Sequence, residues 1–400
     1  MRIGFLFNHD QIHQVAHSLP IALALAKSNK NDEILIATTS TLIAAEITRI
    51  LGPDRPASIS LLGLGLKSSA TRLAARGLGQ LFPAAKLLIF RDNLDFFASL
   101  DALIVTERTS LILKTRYALD RPLMILSDHG AGDRAIGFGK SAAMFDHILA
   151  AGQKITERLI REAGVKHAQL TITGYPKFDC EPQMRRALPF AGQHKPVVLY
   201  NPHVSPHLSS WYKQGRSVLD FFLGNPDYNL IFAPHIMLFQ RRAVMTIDKF
   251  SIGFPGRIDP KYMAAKNIHI DLGSAALTDM TYTNMADIYL GDVSSQTYEF
   301  LRKPRPCLFL NTHNVDHEGD PNYAHWQGGS VVVSTETLGD DLARAVDRHE
   351  DYYRPIQQSL FDYTFDLARE SSSMRSARAI MQVIGNGASQ QRVAQMMAHV

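Results

Sequence analysis

Residues 286–310 read ADIYLGDVSSQTYEFLRKPRPCLFL, two short apolar runs joined by a polar turn and a helix-like segment. The apolar runs are typical of buried strands, and serine in the Asp292-Val-Ser-Ser turn between them favours a helix start. Unpaired backbone N–H groups at a helix start attract anions, so Ser294 and Ser295 are candidate phosphate contacts. Glu299 shares a helix face with Ser295, where a carboxylate suits a ribose diol. The alternative interpretation is an ordinary capped helix with a solvent-facing glutamate.

Similar apolar runs alternate with helix-like stretches through most of the chain. Such alternation is typical of parallel sheets with crossover helices. The runs predicted as strands are 2–7, 33–37, 59–62, 102–106, 123–126, 147–150, 170–172, 197–200, 228–233, 268–270, 287–290, 307–310 and 331–333. The predicted fold class is therefore α/β, with two Rossmann-like doubly wound domains in tandem.

The segment 180–196 interrupts this alternation with three prolines and many polar residues, as interdomain linkers do. We therefore expect an N-terminal domain at 1–180, a linker at 181–196, a C-terminal domain at 197–385 and a tail at 386–400. Ligands of such sheets bind beyond the carboxyl ends of the strands. The expected site is a cleft across which the two domains face each other.

The composition and the absent motifs exclude several classes of protein. The hydrophobic share of 46% and charged share of 20% are typical of a soluble globular protein, and a net charge of +4 does not favour nucleic acid. Only Cys180 and Cys307 are present, which predicts no disulfide framework, and no signal peptide or spanning helix is expected. These features favour the cytoplasm. Kinases and dehydrogenases are excluded because Arg134 replaces the first P-loop glycine and no G-x-G-x-x-G follows the first strand.

Six segments resemble, in the same order, the CDP-glycerol glycerophosphotransferase family of teichoic-acid primases and polymerases. They are MADIYLGDVSSQTYEFLRKPRPCLFLN (285–311), SDHGAGDRAIGF (127–138), LTITGYPKFD (170–179), VVLYNPHVS (197–205), LIFAPHIML (230–238) and ESSSMRSARAI (370–380). The resemblance covers about residues 100–385 and implies the GT-B fold. It also implies that His235 contacts a phosphate, and related nucleotide-sugar 2-epimerases hold the ribose with a glutamate at the offset of Glu299.

The His-Gly segment supplies the candidate catalytic residues. His129 follows a predicted strand, and Gly130, which we place with the donor-binding residues, lets the backbone approach a ligand. A histidine here can remove a proton from an attacking hydroxyl, and Asp128 is either the base itself or an orienting partner. The family's Trp-His-Gly-Thr is replaced by Asp-His-Gly-Ala, and its Pro-Thr-x-Arg by 202–205, Pro-His-Val-Ser. The family's arginine is therefore missing.

The resemblance and the residues together predict a transferase. It would move glycerol phosphate or a similar phospho-alcohol from a CDP-activated donor to a hydroxyl of a cell-envelope lipid or glycan, without cofactor or metal. The alternatives are a GT-B glycosyltransferase that uses a nucleotide sugar and a non-catalytic nucleotide-binding protein of envelope assembly. The predicted donor-binding residues are His235, Asp292, Ser294, Ser295, Glu299 and Gly130.

Two further segments have more than one interpretation. Residues 61–91 contain no acid but five basic residues among leucines and phenylalanines. They are either a solvated helix pair or a surface that docks on the anionic inner face of the membrane. Residues 312–326 contain three histidines, but Asn314, Gly319 and Pro321 favour a loop over the nucleotide site rather than a helical metal site.

Overall fold

The computed structural model describes residues 1–8, 12–29, 31–53, 55–68, 71, 84–128, 130–180, 189–190, 192–246 and 249–398. The chain divides into two compact units. The first unit comprises Met1–Gly130, Phe138–Glu181 and Thr364–Val400, and the second comprises Ala131–Gly137 and Pro182–Tyr363. No helix of the described residues is long and apolar enough to cross a membrane.

The bounds of the elements follow in chain order. The strands are β1 (Arg2–Phe7), β2 (Glu33–Thr38), β3 (Ile59–Gly63), β4 (Ala102–Val105), β5 (Leu123–Ser127), β6 (His147–Ala150), β7 (Leu170–Ile172), β8 (Val197–Asn201), β9 (Asn229–Phe232), β10 (Val244–Thr246), β11 (Ser251–Gly253), β12 (Ile268–Ile270), β13 (Ile288–Gly291), β14 (Cys307–Leu310) and β15 (Ser330–Val332). The α-helices are α1 (Val15–Ser28), α2 (Thr41–Leu51), α3 (Ala84–Asp92), α4 (Leu94–Ala98), α5 (Ile112–Thr115), α6 (Gln153–Ala163), α7 (Trp211–Gly224), α8 (Pro260–Met263), α9 (Thr281–Met285), α10 (Gln296–Phe300), α11 (Leu338–Asp347), α12 (Arg354–Thr364) and α13 (Ser372–Ala398).

Seven parallel strands form the sheet of the first unit, in the order β3-β2-β1-β4-β5-β6-β7. The strands are mostly apolar and buried, as is typical of a parallel sheet. Phe5 on β1 and Ile34 on β2 are buried in a core that also contains Leu19 of α1 and Ile380 of α13. The strand order reverses between β1 and β4, as in Rossmann folds.

Six parallel strands form the main sheet of the second unit, in the order β12-β9-β8-β13-β14-β15. Its core includes Tyr200 and Phe232 of the sheet with Trp211 and Phe222 of α7. The order reverses between β8 and β13, so this sheet too is Rossmann-like. A separate antiparallel hairpin of β10 and β11 was not expected from the sequence. The predicted class of two Rossmann-like α/β domains is confirmed.

The two units differ from the predicted domain bounds in several places, and the residues predicted as a linker from Pro182 onward belong to the second unit. Residues from Thr364 onward, expected in the C-terminal domain and tail, belong to the first unit. The reason is that Asp179 accepts hydrogen bonds from the backbone N–H groups of Ser372 (3.3 Å) and Ser373 (2.6 Å), while Ile380 lies in the first core. Ala131–Gly137, expected in the N-terminal domain, belongs to the second unit.

Candidate functional site

The candidate site of the second unit lies where its strand order reverses. β8 and β13 are neighbours, and Asn201 at the end of β8 is in register with Gly291 at the end of β13. The segments that follow these two strands therefore leave the sheet side by side. One begins with Pro202 and His203, and the other is the Asp292-Val-Ser-Ser turn. Ligands of doubly wound sheets bind at this position.

Asp292 joins the two segments. Its side chain is fully buried and accepts hydrogen bonds from the N–H groups of His203 (2.9 Å), Ser210 (2.7 Å) and Val293 (2.7 Å) and from the Ser210 hydroxyl (2.9 Å). Burial raises the pKa of Asp292, and the hydrogen bonds from Ser210 and His203 oppose that rise. In this structure Asp292 therefore orients the loop after β8, and its predicted contact with a donor remains a prediction.

The helix after the Asp292 turn is shorter than a typical helix. α10 comprises five residues, and its N-terminal flanking residue Ser295 is exposed and makes no side-chain capping hydrogen bond. Ser294 instead is buried, and its hydroxyl accepts from the N–H of Gln296 at 3.3 Å. Because so short a helix has a small dipole, its start alone is a weak phosphate site. The phosphate roles of Ser294 and Ser295 remain predictions.

Glu299 is not the solvent-facing side chain of the alternative interpretation. Its side chain lies on α10 with only 6% of the residue exposed. Burying a carboxylate costs free energy unless neighbouring groups or a ligand donate hydrogen bonds to it. Glu299 lies near the carboxyl edge of the sheet, where a ligand could do so. The ribose contact remains a prediction, but the solvent-exposed interpretation is wrong.

Two histidines at this edge have their tautomers fixed by backbone hydrogen bonds. Nδ1 of His235 accepts from the N–H of Met237 at 3.3 Å, and Nδ1 of His203 accepts from the N–H of Ser205 at 3.0 Å. Each neutral ring therefore carries its proton on Nε2. The ring centroids are 5.5 Å apart.

Arg134 adds a positive charge to this pair. Its Nη1 lies 3.0 Å from Nε2 of His203. Burial and the charge of Arg134 lower the pKa of His235 to about 4, and the same two causes hold the pKa of His203 well below its ordinary value. Both rings are therefore neutral at pH 7.

The Arg134–His203–His235 cluster places a guanidinium next to an imidazole nitrogen. A neutral imidazole has one acceptor nitrogen, yet both ring nitrogens of His203 face N–H donors, from Ser205 and Arg134. With Nδ1 occupied by Ser205, the Nε2–H of His203 and the guanidinium are two donors turned toward each other. An anion such as phosphate accepts hydrogen bonds from both and relieves this contact. The cluster therefore suits an anionic group, and sequence reasoning missed two of its three members.

Asp133 holds the segment that carries Arg134. It is 2% exposed and accepts from the Tyr298 hydroxyl (2.8 and 2.9 Å to its two oxygens) and from the backbone N–H of His325 (2.9 Å). Nδ1 of His325 also lies 2.9 Å from Asp133, and its Nε2 lies 3.0 Å from the Asp292 carbonyl oxygen. Both ring nitrogens of His325 therefore lie at hydrogen-bond distance from an oxygen, and His325 forms a buried pair with Asp133. This buried pair places 131–137 in the second unit.

Gly132 allows the same segment to lie close to the Asp292 turn. A Cβ atom at Gly132 would come within 3.1 Å of the Cβ of Ser295. That distance is tighter than ordinary van der Waals contact, so a larger residue would push the segment away. No sequence signal pointed to the contacts that join Asp133 to Tyr298 and His325, because these partners are 165 to 192 residues apart.

Of the two predicted catalytic residues, Asp128 lies in the first unit. His129 lies outside the residues that the structure describes. Asp128 is partly exposed, with one carboxylate oxygen 3.8 Å from a guanidinium nitrogen of Arg108. Gly130 has φ of +107°, a conformation that favours glycine, so the backbone alone accounts for glycine at this position. The roles of these three residues remain predictions.

The histidines of 312–326 have separate contacts. His325 pairs with Asp133, Nε2 of His313 lies 3.2 Å from the Ser209 carbonyl oxygen, and the His317 ring packs on Trp326 with centroids 5.1 Å apart. Among the residues described, no three His, Cys, Asp or Glu side chains are grouped so that they could hold a metal ion.

Solved structures resemble this two-unit fold over nearly its whole length, although no family model and no curated protein sequence matches the chain. A variant of the wall teichoic acid polymerase TagF soaked with CDPG covers 96% of this chain and 89% of its own, with 13% identity and a TM-score of 0.60. UDP-GlcNAc 2-epimerase from Neisseria meningitidis, bound to UDP-GlcNAc, covers 96% and 100%, with 13% identity and a TM-score of 0.58. A complex of MnaA from S. aureus with UDP covers 96% and 97%, with 13% identity and a TM-score of 0.56.

The fold is GT-B. At such low identity the likeness extends to the fold and no further, and it confirms the fold class predicted from the sequence.

Proposed function

We propose that the protein is a nucleotide-dependent transferase that moves glycerol phosphate or a similar phospho-alcohol from a CDP-activated donor to a hydroxyl. The acceptor would be a lipid or glycan of the cell envelope. The observation that carries the proposal is the cluster of Arg134, His203 and His235 beyond the carboxyl ends of β8 and β13. The six-segment sequence resemblance and the fold shared with a polymerase soaked with CDPG support this donor class.

The cluster would bind the diphosphate of the donor. The guanidinium gives charge-assisted hydrogen bonds to phosphate oxygens, and the Nε2–H groups of two neutral histidines add donors without adding charge. In this proposal Arg134 replaces the family arginine that is missing from 202–205. Glu299 would accept hydrogen bonds from the ribose hydroxyls, and Asp292 would keep His203 in place through its backbone N–H.

The reaction would be a displacement at the β-phosphorus of the donor. The oxygen of the acceptor hydroxyl forms a bond to phosphorus, the bond between that phosphorus and the bridging oxygen breaks, and CMP leaves. The hydroxyl proton passes to the base, proposed to be His129 with Asp128 as the alternative. Donors that are already oriented toward the diphosphate stabilise the negative charge that develops on the departing CMP.

The test is a thermal-shift panel with CDP-glycerol, CDP-ribitol, CMP, UDP-GlcNAc and GDP-mannose, followed by an assay of CMP release with envelope lipid acceptors. We expect the cytidine compounds to raise the melting temperature, and CMP release to depend on the acceptor. Stabilisation by uridine or guanosine nucleotides alone would contradict the cytidine assignment.

A UDP-sugar enzyme is the second candidate, because a UDP-GlcNAc-bound epimerase is nearly as similar in fold as the polymerase. It would be favoured if UDP-GlcNAc stabilises the protein more than CDP-glycerol. Binding of a nucleotide without turnover for any acceptor would favour the third candidate, a non-catalytic binding protein.

A further inference from the structure

The β10–β11 hairpin of the second unit has one attached face and one exposed face. Gly253 on β11 is buried, and a Cβ atom there would lie 2.5 Å from the Tyr212 ring. On the same attached side, the hydroxyls of Thr246 and Ser251 each lie 3.2 Å from Nδ1 of His207. The hairpin is therefore fixed to the body of its unit through this face.

The exposed face is apolar. Met245 and Ile252 are directly opposite each other in the ladder, and they are 64% and 60% exposed. Phe254, immediately after β11, is 73% exposed, and Phe250, immediately before it, is 86% exposed. Single exposed apolar residues are ordinary, but four large ones on one short hairpin indicate an interaction site.

Phe250 also has an unusual backbone conformation. Its φ is +46°, in the left-handed region that is unfavourable for a bulky residue. Glycine or asparagine would satisfy this turn better. An exposed phenylalanine in the left-handed region of φ costs conformational free energy and adds nothing to the core. This indicates that its ring contacts something outside the chain.

Basic residues lie close to these apolar residues in the sequence. Arg241, Arg242, Lys249 and Arg257 are all exposed. In the sequence 241–257 the only acid is Asp248. Exposed phenylalanines flanked by arginine and lysine are the chemistry that binds an anionic bilayer, because rings enter the interface while cations meet the head groups.

We propose that this hairpin, residues 241–246 and 249–257, docks the protein on anionic lipid bilayers. Phe250, Phe254, Ile252 and Met245 enter the interfacial region, and the four cations bind lipid phosphates. The proposal does not depend on the identity of the donor. It is also distinct from the sequence-based docking hypothesis for 61–91.

The test is co-sedimentation with vesicles of equimolar phosphatidylglycerol and phosphatidylcholine, with pure phosphatidylcholine vesicles for comparison. We expect the wild-type protein to bind the anionic vesicles, and added salt to weaken binding because it screens the cations. The double variant Phe250→Ser/Phe254→Ser should lower the partition coefficient about a hundredfold, since losing even part of a buried phenylalanine costs about a factor of ten. Arg241→Glu/Arg242→Glu should lower it at least about twentyfold.

Matched controls separate docking from a general effect of composition. Leu42→Ser removes an apolar side chain that is 60% exposed on α2, and Lys266→Glu/Lys303→Glu makes the same charge change elsewhere on the second unit. Both should bind vesicles as the wild type does. A tryptophan in Phe250→Trp should show blue-shifted emission with anionic vesicles.

Three results would overturn the proposal. The first is that the wild-type protein does not bind anionic vesicles, and the second is that the hairpin variants bind as well as the wild type. The third is that the wild type forms a dimer, the Phe250→Ser/Phe254→Ser variant is monomeric, and both bind vesicles equally. The last result would assign the face to a second copy of the chain. All of the substituted side chains are exposed, so melting temperatures near that of the wild type should show that each variant is folded.

Discussion

Arg134→Ala is the sharpest test of the Arg134–His203–His235 cluster. The variant removes a guanidinium whose Nη1 lies 3.0 Å from Nε2 of His203. A hydrogen bond to a charged group contributes about 1.5–3 kcal/mol, so the dissociation constant for CDP-glycerol should rise about 10- to 150-fold in calorimetry. Arg134→Lys should fall between the two proteins, because an ammonium keeps the charge but not the two-pronged geometry. Lys303→Ala, which removes an exposed cation of the same unit, should bind as the wild type does.

The same variant has a second readout that needs no ligand. The charge of Arg134 contributes to the lowered pKa values of both His235 and His203, although burial is the larger cause. Ring NMR signals of His235 should therefore titrate above about pH 4 in Arg134→Ala but still below the ordinary value. Unchanged titration together with unchanged affinity for CDP-glycerol would refute the cluster. Changed titration with unchanged affinity would keep the cluster and refute its role in donor binding.

Four further predictions concern the other residues of the site. Glu299→Ala should weaken CDP binding by about 1.5–3 kcal/mol in calorimetry, and equal weakening of a 2′,3′-dideoxy analogue would contradict the ribose contact. His129→Ala should lower turnover about 10²- to 10⁴-fold with nearly unchanged nucleotide affinity, and near-normal turnover would make Asp128 the next candidate. Because the pKa of His235 is lowered to about 4 in the folded protein, the unfolded chain binds more protons between about pH 6.5 and pH 4. The contribution of His235 to stability is therefore complete above pH 6.5 and decreases as the pH falls, by about 2 kcal/mol at pH 5. In urea melts, the stability of His235→Gln should lack this part of the pH dependence. Asp133→Asn should destabilise the protein by about 3 kcal/mol in the same melts, since it replaces a buried carboxylate that accepts from Tyr298 and His325, and a change below 1 kcal/mol would argue that these hydrogen bonds do not hold the segment.

The sheets could be predicted because a strand covered on both faces is a continuous apolar run. The end of β13 and its Asp292 turn were located for the same reason. The length of α10 was not, because the sequence after Ser295 has a helical composition but the helix ends after one and a half turns. β10 and β11 were missed because three residues are too few to show a period, and the exposed Met245 and Ile252 look like core residues in the sequence.

The contacts of the Arg134–His203–His235 cluster could not be predicted from a single sequence. Asp292 was found as part of a motif, but its real partners, His203 and Ser210, lie more than 80 residues away. Arg134 was noticed only as a residue that breaks a P-loop pattern. Its position depends on Asp133, whose bonds to Tyr298 and His325 cross 165 and 192 residues. Local propensity carries no information about pairs so distant, so only the folded chain brings them together.

The division of the chain also constrains how the protein can be made. The backbone passes from one unit to the other four times, after residues 130, 137, 181 and 363. The ribosome synthesises the chain from its N-terminus. The core around Phe5 can therefore pack against Ile380 only after the whole second unit has been synthesised. A gene fragment for 182–363 would in turn lack Asp133 and leave Tyr298 and His325 without their carboxylate. Neither half can therefore be expressed as a faithful stand-alone domain by cutting the gene once, and a nascent chain exposes an unfinished first core for much of its synthesis.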